Sequence, residues 1–325
     1  MYAILGDIGG TNTRLALAEG AKSELLHIQY FENKDFENLD QIISKYLDIL
    51  DLSKAGSVTN AAIAVAGPIK GDQIELTNVD FGFSQTEYKQ KFGFKRLNII
   101  NDFTALAYCL PHMTEDDLIQ VGGGKVAENA NKLVIGPGTG MGMAALIPCD
   151  IPTTDGSVYT HWHPIPSEAG HSTYSPNTER EFQLVRVLRK QYYRVSVERL
   201  ISGVGIKTIY DTLAKIDGTA INDLTPSQIS KLALDNEDEL AVESLNLFCN
   251  ILGRTAGDHC LHFSAFGGVY IAGGIIPKIL PFFLKSDFRK IFEKKGRMAD
   301  LTRNVATNII THKYPALIGA LASLD

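Results

Sequence analysis

A strand, glycine-turn, strand unit occurs twice in this chain, and it constrains the fold more than any other feature. The first copy is Tyr2-Ala3-Ile4-Leu5, then Gly6-Asp7-Ile8-Gly9-Gly10-Thr11-Asn12-Thr13-Arg14, then Leu15-Ala16-Leu17-Ala18. The second is Lys132-Leu133-Val134-Ile135, then Gly136-Pro137-Gly138-Thr139-Gly140-Met141-Gly142, then Met143-Ala144-Ala145-Leu146-Ile147. Such a turn brings backbone N–H groups close to whatever lies above it, because glycine has no Cβ and tolerates positive φ. A concave array of N–H donors suits a phosphate. Asp7 beside the first turn would repel that phosphate unless a divalent metal bridged the two. For the first turn alone, an ordinary hairpin with a solvated Asp is the competing reading. The repeat points to two related domains, each offering one phosphate loop to a shared cleft.

The 325 residues can bury a large core and leave room for two domains. A net charge of −6, without a basic stripe, argues against a nucleic-acid partner. The clusters Phe288-Arg289-Lys290 and Lys294-Lys295-Gly296-Arg297 read as solvated helix faces. Asp7 and the glycines interrupt the first apolar run, so no signal peptide is expected. The two nearly uncharged stretches, 133–149 and 260–277, are rich in turn residues and read as buried strands rather than membrane spans. Cys109, Cys149, Cys249 and Cys260 form no CxxC pair and are expected to be reduced core residues of a cytoplasmic protein.

Hydrophobic spacing predicts strands over 2–8, 12–18, 25–31, 61–66 (ended by Gly67-Pro68), 73–77 and 97–100, with helices over 37–50 and 84–92. A helix over 103–110 follows Asn101-Asp102. The region 178–263 is expected to be mostly helical, broken near 203–205 and 226. Then come a strand over 267–272, a helix over 278–295, a strand over 307–311 and a closing helix over 315–324 that packs on the N-terminal domain. Strands alternating with helices imply a mainly parallel sheet, with ligands at the carboxyl ends of the strands.

Neither glycine turn is a common nucleotide motif: Met141 stands where the last glycine of G-x-G-x-x-G belongs, and Gly124-Lys125 lacks the rest of a P-loop. Gly273-Gly274 ends a strand and opens a helix, which allows close approach of an adenosine or is a plain strand-to-helix turn. Asn101-Asp102 sits where α/β sheets place their chemistry. It reads equally as a helix cap and as a catalytic base. Glu168-Ala169-Gly170-His171 can present a carboxylate and an imidazole to sugar hydroxyls. His161 and His163 complete no zinc spacing and are expected to be strand residues.

Taken together, these motifs resemble the bacterial-type glucokinases, the ATP-dependent, non-zinc group of the actin-like sugar kinase superfamily, from Gly6 to the closing helix. GDIGGTNTRLAL resembles the phosphate-1 hairpin, GPGTGMG the phosphate-2 loop and Ile271-Ala272-Gly273-Gly274-Ile275 the adenosine motif. Ile100-Asn101-Asp102-Phe103 matches the catalytic segment, and Glu168 and His171 match the sugar-binding E-x-G-H. Glu198, within Val195–Gly203, matches the remaining sugar-binding Glu; the residues alone leave it a helix-surface charge. No Cys occurs in Ser172–Glu181, where the zinc-containing relatives carry a cluster.

The resemblance implies an α/β fold of two actin-like (ribonuclease H-like) domains with a ligand cleft between them. The small domain comprises 1–112 plus 313–325 and the large one 113–312. It also implies ATP-dependent phosphorylation of glucose at the C6 hydroxyl, the first step of glycolysis, in a cytoplasmic homodimer with no nucleic-acid or membrane partner. Asp102 is the expected base and also a sugar ligand with Asn101, Glu168, His171 and Glu198. ATP is expected on Asp7, Gly9, Gly10, Thr11, Asn12, Gly138, Thr139, Gly140, Gly273 and Gly274, with Asp7 holding Mg²⁺ directly or through a water. The alternatives are a kinase of the same fold for mannose, fructose or an N-acetylhexosamine, and a non-catalytic sugar sensor.

Overall fold

The structure is a computed structural model that describes residues 2–20, 24–50, 58–67, 69–76 and 81–324. The chain divides into two compact units, Met1–Thr114 with His312–Asp325, and Glu115–Thr311.

In the first unit the hairpin of β1 (Tyr2–Ile8) and β2 (Asn12–Glu19) is extended by β3 (Leu26–Glu32) on one side. On the other side β4 (Val58–Val65) and β5 (Arg96–Asn101) add in parallel, in the sheet order β3-β2-β1-β4-β5. Helix α1 (Leu39–Ile49) covers one face. Asn38 caps it by accepting the Gln41 N–H, and Leu39, Ile42, Ile43 and Tyr46 turn inward. They pack with Ile4, Ile8, Leu15, Leu17 and Ile63. Burial of each large apolar side chain stabilises the unit by roughly 1.5–3 kcal/mol. The opposite face is lined with Ala3, Ala16, Ala18 and Ala62, small residues against which Leu317, Ala320 and Leu321 of the closing helix α2 (Pro315–Ala322) pack. Asn98 fastens that helix by donating to the Ser323 carbonyl at 2.6 Å. The closing helix therefore belongs to the N-terminal unit, as the pattern over 315–324 predicts.

The second unit repeats the plan. Its hairpin of β6 (Lys132–Pro137) and β7 (Met141–Pro152) is continued by β8 (Val158–Ser167), which carries His161 and His163. Parallel strands β9 (Val269–Ile271) and β10 (Thr307–Ile310) lie on the other side. The outer strand Leu118–Gln120 closes that edge in antiparallel fashion. The core lies between this sheet and a helical layer that includes Gly203–Asp217 and the long helix Glu239–His262.

Three expectations need correction. Both sheets are mixed rather than mainly parallel, because each glycine turn is a tight hairpin and a hairpin forces antiparallel pairing. The helix over 278–295 is interrupted: Leu280–Phe283 and Phe288–Glu293 are separate helices. Between them Ser286 donates its hydroxyl to the Phe283 carbonyl and accepts the Phe288 N–H, replacing helical bonds. Cys149 is exposed, whereas Cys109, Cys249 and Cys260 are buried, because β7 runs past the core before its end. The breaks expected near 203–205 and 226 fall where Gly203 and Pro226 open new helices. Of the shorter expectations, Gln73–Glu75 is a strand; residue 77 and Pro68 lie outside the described residues.

Candidate active site

In the first unit the turn between β1 and β2 is closed by the Gly9 N–H, which donates to the Asn12 carbonyl at 3.0 Å. This bond engages the Gly9 donor within the turn, while the N–H groups of Gly10 and Thr11 donate to no group among the described residues. Asn33, 3% exposed, braces the turn from the end of β3. Its amide donates to the Gly9 carbonyl at 2.8 Å, its backbone N–H to the Thr11 carbonyl at 2.9 Å, and its oxygen accepts the buried Thr13 hydroxyl at 2.8 Å. The sequence reading missed Asn33, whose only signal is a polar residue at the end of a strand.

Asp7 faces Arg14 across the hairpin register, and one guanidinium nitrogen donates to its Oδ2 at 2.8 Å. Burial raises the Asp7 carboxyl above the ordinary value, with Arg14 opposing that rise.

At the carboxyl end of β5, Asn101 is the N-cap of helix α3 (Asp102–Cys109), and its Oδ1 accepts the N–H groups of Phe103 and Thr104 at 2.9 and 3.2 Å. Asp102 is the first residue of that helix. Its Oδ1 accepts from the Asn101 amide at 2.9 Å and from the Phe103 N–H at 3.0 Å. Among the described residues no group donates to Oδ2. Burial pushes the carboxyl up to about 6; the Phe103 N–H opposes the shift and the negative charge of Asp7 adds to it. The cap and the acid are thus two adjacent residues. A carboxylate with one uncommitted oxygen and a pKa near neutrality can accept a hydroxyl proton.

In the second unit the Gly138 N–H closes its own turn on the Gly140 carbonyl at 2.7 Å, leaving the N–H groups of Thr139 and Gly140 without acceptors among the described residues. The Thr139 side chain is exposed. Gly273 has φ +90°, and a Cβ there would lie 2.4 Å from the Pro137 carbonyl, so only glycine permits this strand end to meet the second loop. Gly274 follows in open space.

Glu168 precedes the short turn Ala169–His171 and His171 ends it, and Glu198 lies in the turn before Gly203, not on a helix surface. Both carboxylates approach the imidazole: Glu168 Oε2 is 3.9 Å from His171 Nε2, and Glu198 Oε1 is 4.0 Å from Nδ1. A cavity of about 480 Å³ adjoins His171 and Glu198; its wall includes Tyr192, with the Arg199 guanidinium 3.7 Å over the ring. A second cavity, about 410 Å³, surrounds Glu181, Arg254 and Lys295, whose charges are already paired with one another and with Asp258. Among the described residues no group of three His, Cys, Asp or Glu is placed to hold a metal.

Two α/β units built on one plan, each with a glycine hairpin, and an Asn-Asp pair at a strand end define an actin-like sugar kinase. A solved glucokinase from an Antarctic psychrotroph is 36% identical, with a TM-score of 0.87 over 99% of this chain and 98% of that one. The glucokinase of Balamuthia mandrillaris, solved with glucose, shares the fold at 21% identity and a TM-score of 0.78 over 99% and 93% of the two chains. In sequence, the glucokinase of Hahella chejuensis is 40% identical over 323 residues, 99% of this chain and 97% of that protein. The Glucokinase family profile matches residues 4–325. The chain belongs to the glucokinase family.

Proposed function

We propose that the protein transfers the γ-phosphoryl group of ATP to the C6 hydroxyl of glucose, with Asp102 as general base. The observation that carries this reading is the uncommitted Oδ2 of Asp102, on a carboxyl whose pKa burial raises to about 6, in a chain of this family. As the O6–phosphorus bond forms and the bond to the leaving ADP oxygen breaks, the hydroxyl proton passes to Asp102 Oδ2. Phosphoryl transfer asks little covalent work of a protein, so most of the catalysis is alignment and neutralisation of charge.

Gly10 and Thr11, together with Thr139 and Gly140, offer open N–H groups to phosphate oxygens. Asn12 belongs to the first of these turns, and Gly9 and Gly138 shape the two turns rather than donate. Gly273 and Gly274 give the adenosine a flat approach. The hexose hydroxyls are held by Asn101, Asp102, Glu168, His171 and Glu198. Several hydrogen bonds to hydroxyls select against epimers, because a misplaced hydroxyl leaves a polar group unpaired.

Asp7 fits a Mg²⁺ that travels with the nucleotide. Arg14 donates to one of its oxygens and no other described residue donates to the second, so Asp7 would supply a single ligand, directly or through a water, as is usual for Mg²⁺ on phosphates. When bound, the ion neutralises charge on the phosphates.

Glucose-dependent release of ADP from ATP tests the reading. A sugar panel of glucose, mannose, fructose and N-acetylglucosamine separates it from a kinase for another hexose, and absence of turnover on every sugar would leave the non-catalytic sensor. A homodimer and a cytoplasmic location are part of the same proposal; sedimentation of the purified chain tests the first. Among the described residues no helix is long and apolar enough to cross a membrane.

A further inference from the structure

Glu198 does more than face the imidazole of His171. Its Oε2 accepts the backbone N–H of Met141 at 3.0 Å, the residue that ends the second glycine turn. The contact is built on both sides. A Cβ on Gly140 would lie 2.5 Å from Glu198 Oε2, so a side chain there would push the carboxylate from its place on the loop. The Glu198 N–H donates to the Gly170 carbonyl at 2.9 Å, and a Cβ on Gly170 would lie 2.3 Å from the Met141 carbonyl. Five residues after Glu198, the Gly203 N–H donates to the Gly138 carbonyl at 2.8 Å. The segments carrying Glu168, His171 and Glu198 are thereby tied to the turn whose Thr139 and Gly140 N–H groups are open.

We infer that Glu198 is a positioning residue that latches the Gly138–Met141 turn and couples sugar occupancy to nucleotide binding. The inference rests on the function proposed above, because it assumes a hexose beside Glu198 Oε1 and phosphates on the turn. One oxygen holds the loop while the other is left for the sugar. A hydroxyl on Oε1 fixes the rotamer of the side chain and so the position of Oε2. The turn is then ordered before the nucleotide arrives, which lowers the ordering cost of the second ligand. Linkage makes the effect reciprocal: each ligand tightens the other by the same factor.

The test is binding of a non-hydrolysable ATP analogue, with and without glucose, together with hydrogen exchange of the 138–142 amides in the ligand-free protein. In Glu198→Ala the amides should exchange faster, analogue binding without sugar should weaken about ten-fold, and the mutual enhancement should vanish. Glu198→Gln keeps an acceptor for the Met141 N–H and should restore exchange protection and sugar-free analogue binding. Glu168→Ala and His171→Ala should weaken glucose binding alone. Gly140→Ala, which crowds Oε2, should weaken glucose binding although Gly140 is not a sugar ligand. Unchanged 138–142 exchange in Glu198→Ala would overturn the latch. Failure of the wild-type chain to turn over any sugar would overturn the proposed function instead, while the exchange measurement would still report on the latch.

Discussion

Asn101 donates its side-chain amide to Oδ1 of Asp102 at 2.9 Å while its own oxygen caps the helix that Asp102 begins. A second amide contact, to the Gly67 carbonyl at 3.2 Å, holds Asn101 from the neighbouring strand end. The cap therefore orients the acid: Oδ1 is committed to neighbours and Oδ2 is presented. Asp102→Ala should lower kcat by roughly 10²–10⁴ while glucose binding persists. Near-normal turnover in a coupled glucose 6-phosphate assay would remove Asp102 from the role.

The pH dependence follows from the direction of the Asp102 shift. The base must be ionised, so kcat/KM should rise through about pH 6 and level off above it. In Asp102→Glu, if active, the midpoint should move. A wild-type profile flat from pH 5 to 8 would contradict the assignment.

The same shift has a cost in stability. Because the folded-state pKa rises from 3.8 to about 6, the native protein holds this proton more tightly than the unfolded chain. Stability is lost as pH rises through that window and stays reduced above it. Asp102→Asn should be inactive yet more stable at pH 7.5, by up to about 2 kcal/mol, with no gain near pH 4. Thermal denaturation at the two pH values reads this directly, and a lowered Tm at pH 7.5 would refute it.

Asn33→Ala removes both side-chain bonds from the first turn and strands the buried Thr13 hydroxyl, which is 0% exposed at the residue level. The loss should be about 1–3 kcal/mol in urea denaturation. The KM for ATP should rise more than that for glucose, because the brace supports the open Gly10 and Thr11 donors. A glucose-selective defect would count against this.

Asp7→Asn should raise the Mg²⁺ concentration needed for half-maximal velocity and leave the glucose KM unchanged, since one carboxylate oxygen is the proposed metal ligand. A Mg²⁺ titration superimposable on that of the wild type would exclude it.

In the second unit, Glu181 is buried at 2% exposure and makes a two-pronged pair with Arg254 at 2.7 and 2.8 Å. Burial alone would raise its carboxyl, but the bonds from Arg254 and the Asn177 N–H outweigh it, so the net shift is downward from 4.5. Its contribution is therefore present above pH 4.5 and lost as pH falls through the folded-state value. Arg254→Met leaves the carboxylate unpaired and should cost about 3–5 kcal/mol at pH 7. Equal urea midpoints for variant and wild type would refute this.

Much of the framework was legible in the sequence because it rests on short-range rules. Continuous apolar runs mark β1 and β2, period-3.6 spacing marks α1, and glycine marks both turns. The Asn-Asp pair after an apolar strand marks the strand end that carries Asp102. The interrupted helix near Ser286 escaped that reading because a local side-chain bond overrode an apolar spacing that still looked helical. The mixed sheets escaped it because alternation of strands and helices does not register that a glycine turn is itself a hairpin.

What the chain order settled by itself is where strands, turns and helices begin, since those preferences act over a few residues. Only the tertiary structure decided which polar groups are spent and which remain. Asn33 reaches Gly9 across 24 residues, and Glu198 reaches Met141 across 57. The pKa of Asp102 is raised chiefly by burial. Burial and long-range hydrogen bonds exist only once the chain has folded back on itself. A carboxylate that reads in sequence as an ordinary cap or a surface charge thereby gains, in the fold, the surroundings on which the proposed base and the proposed latch rest.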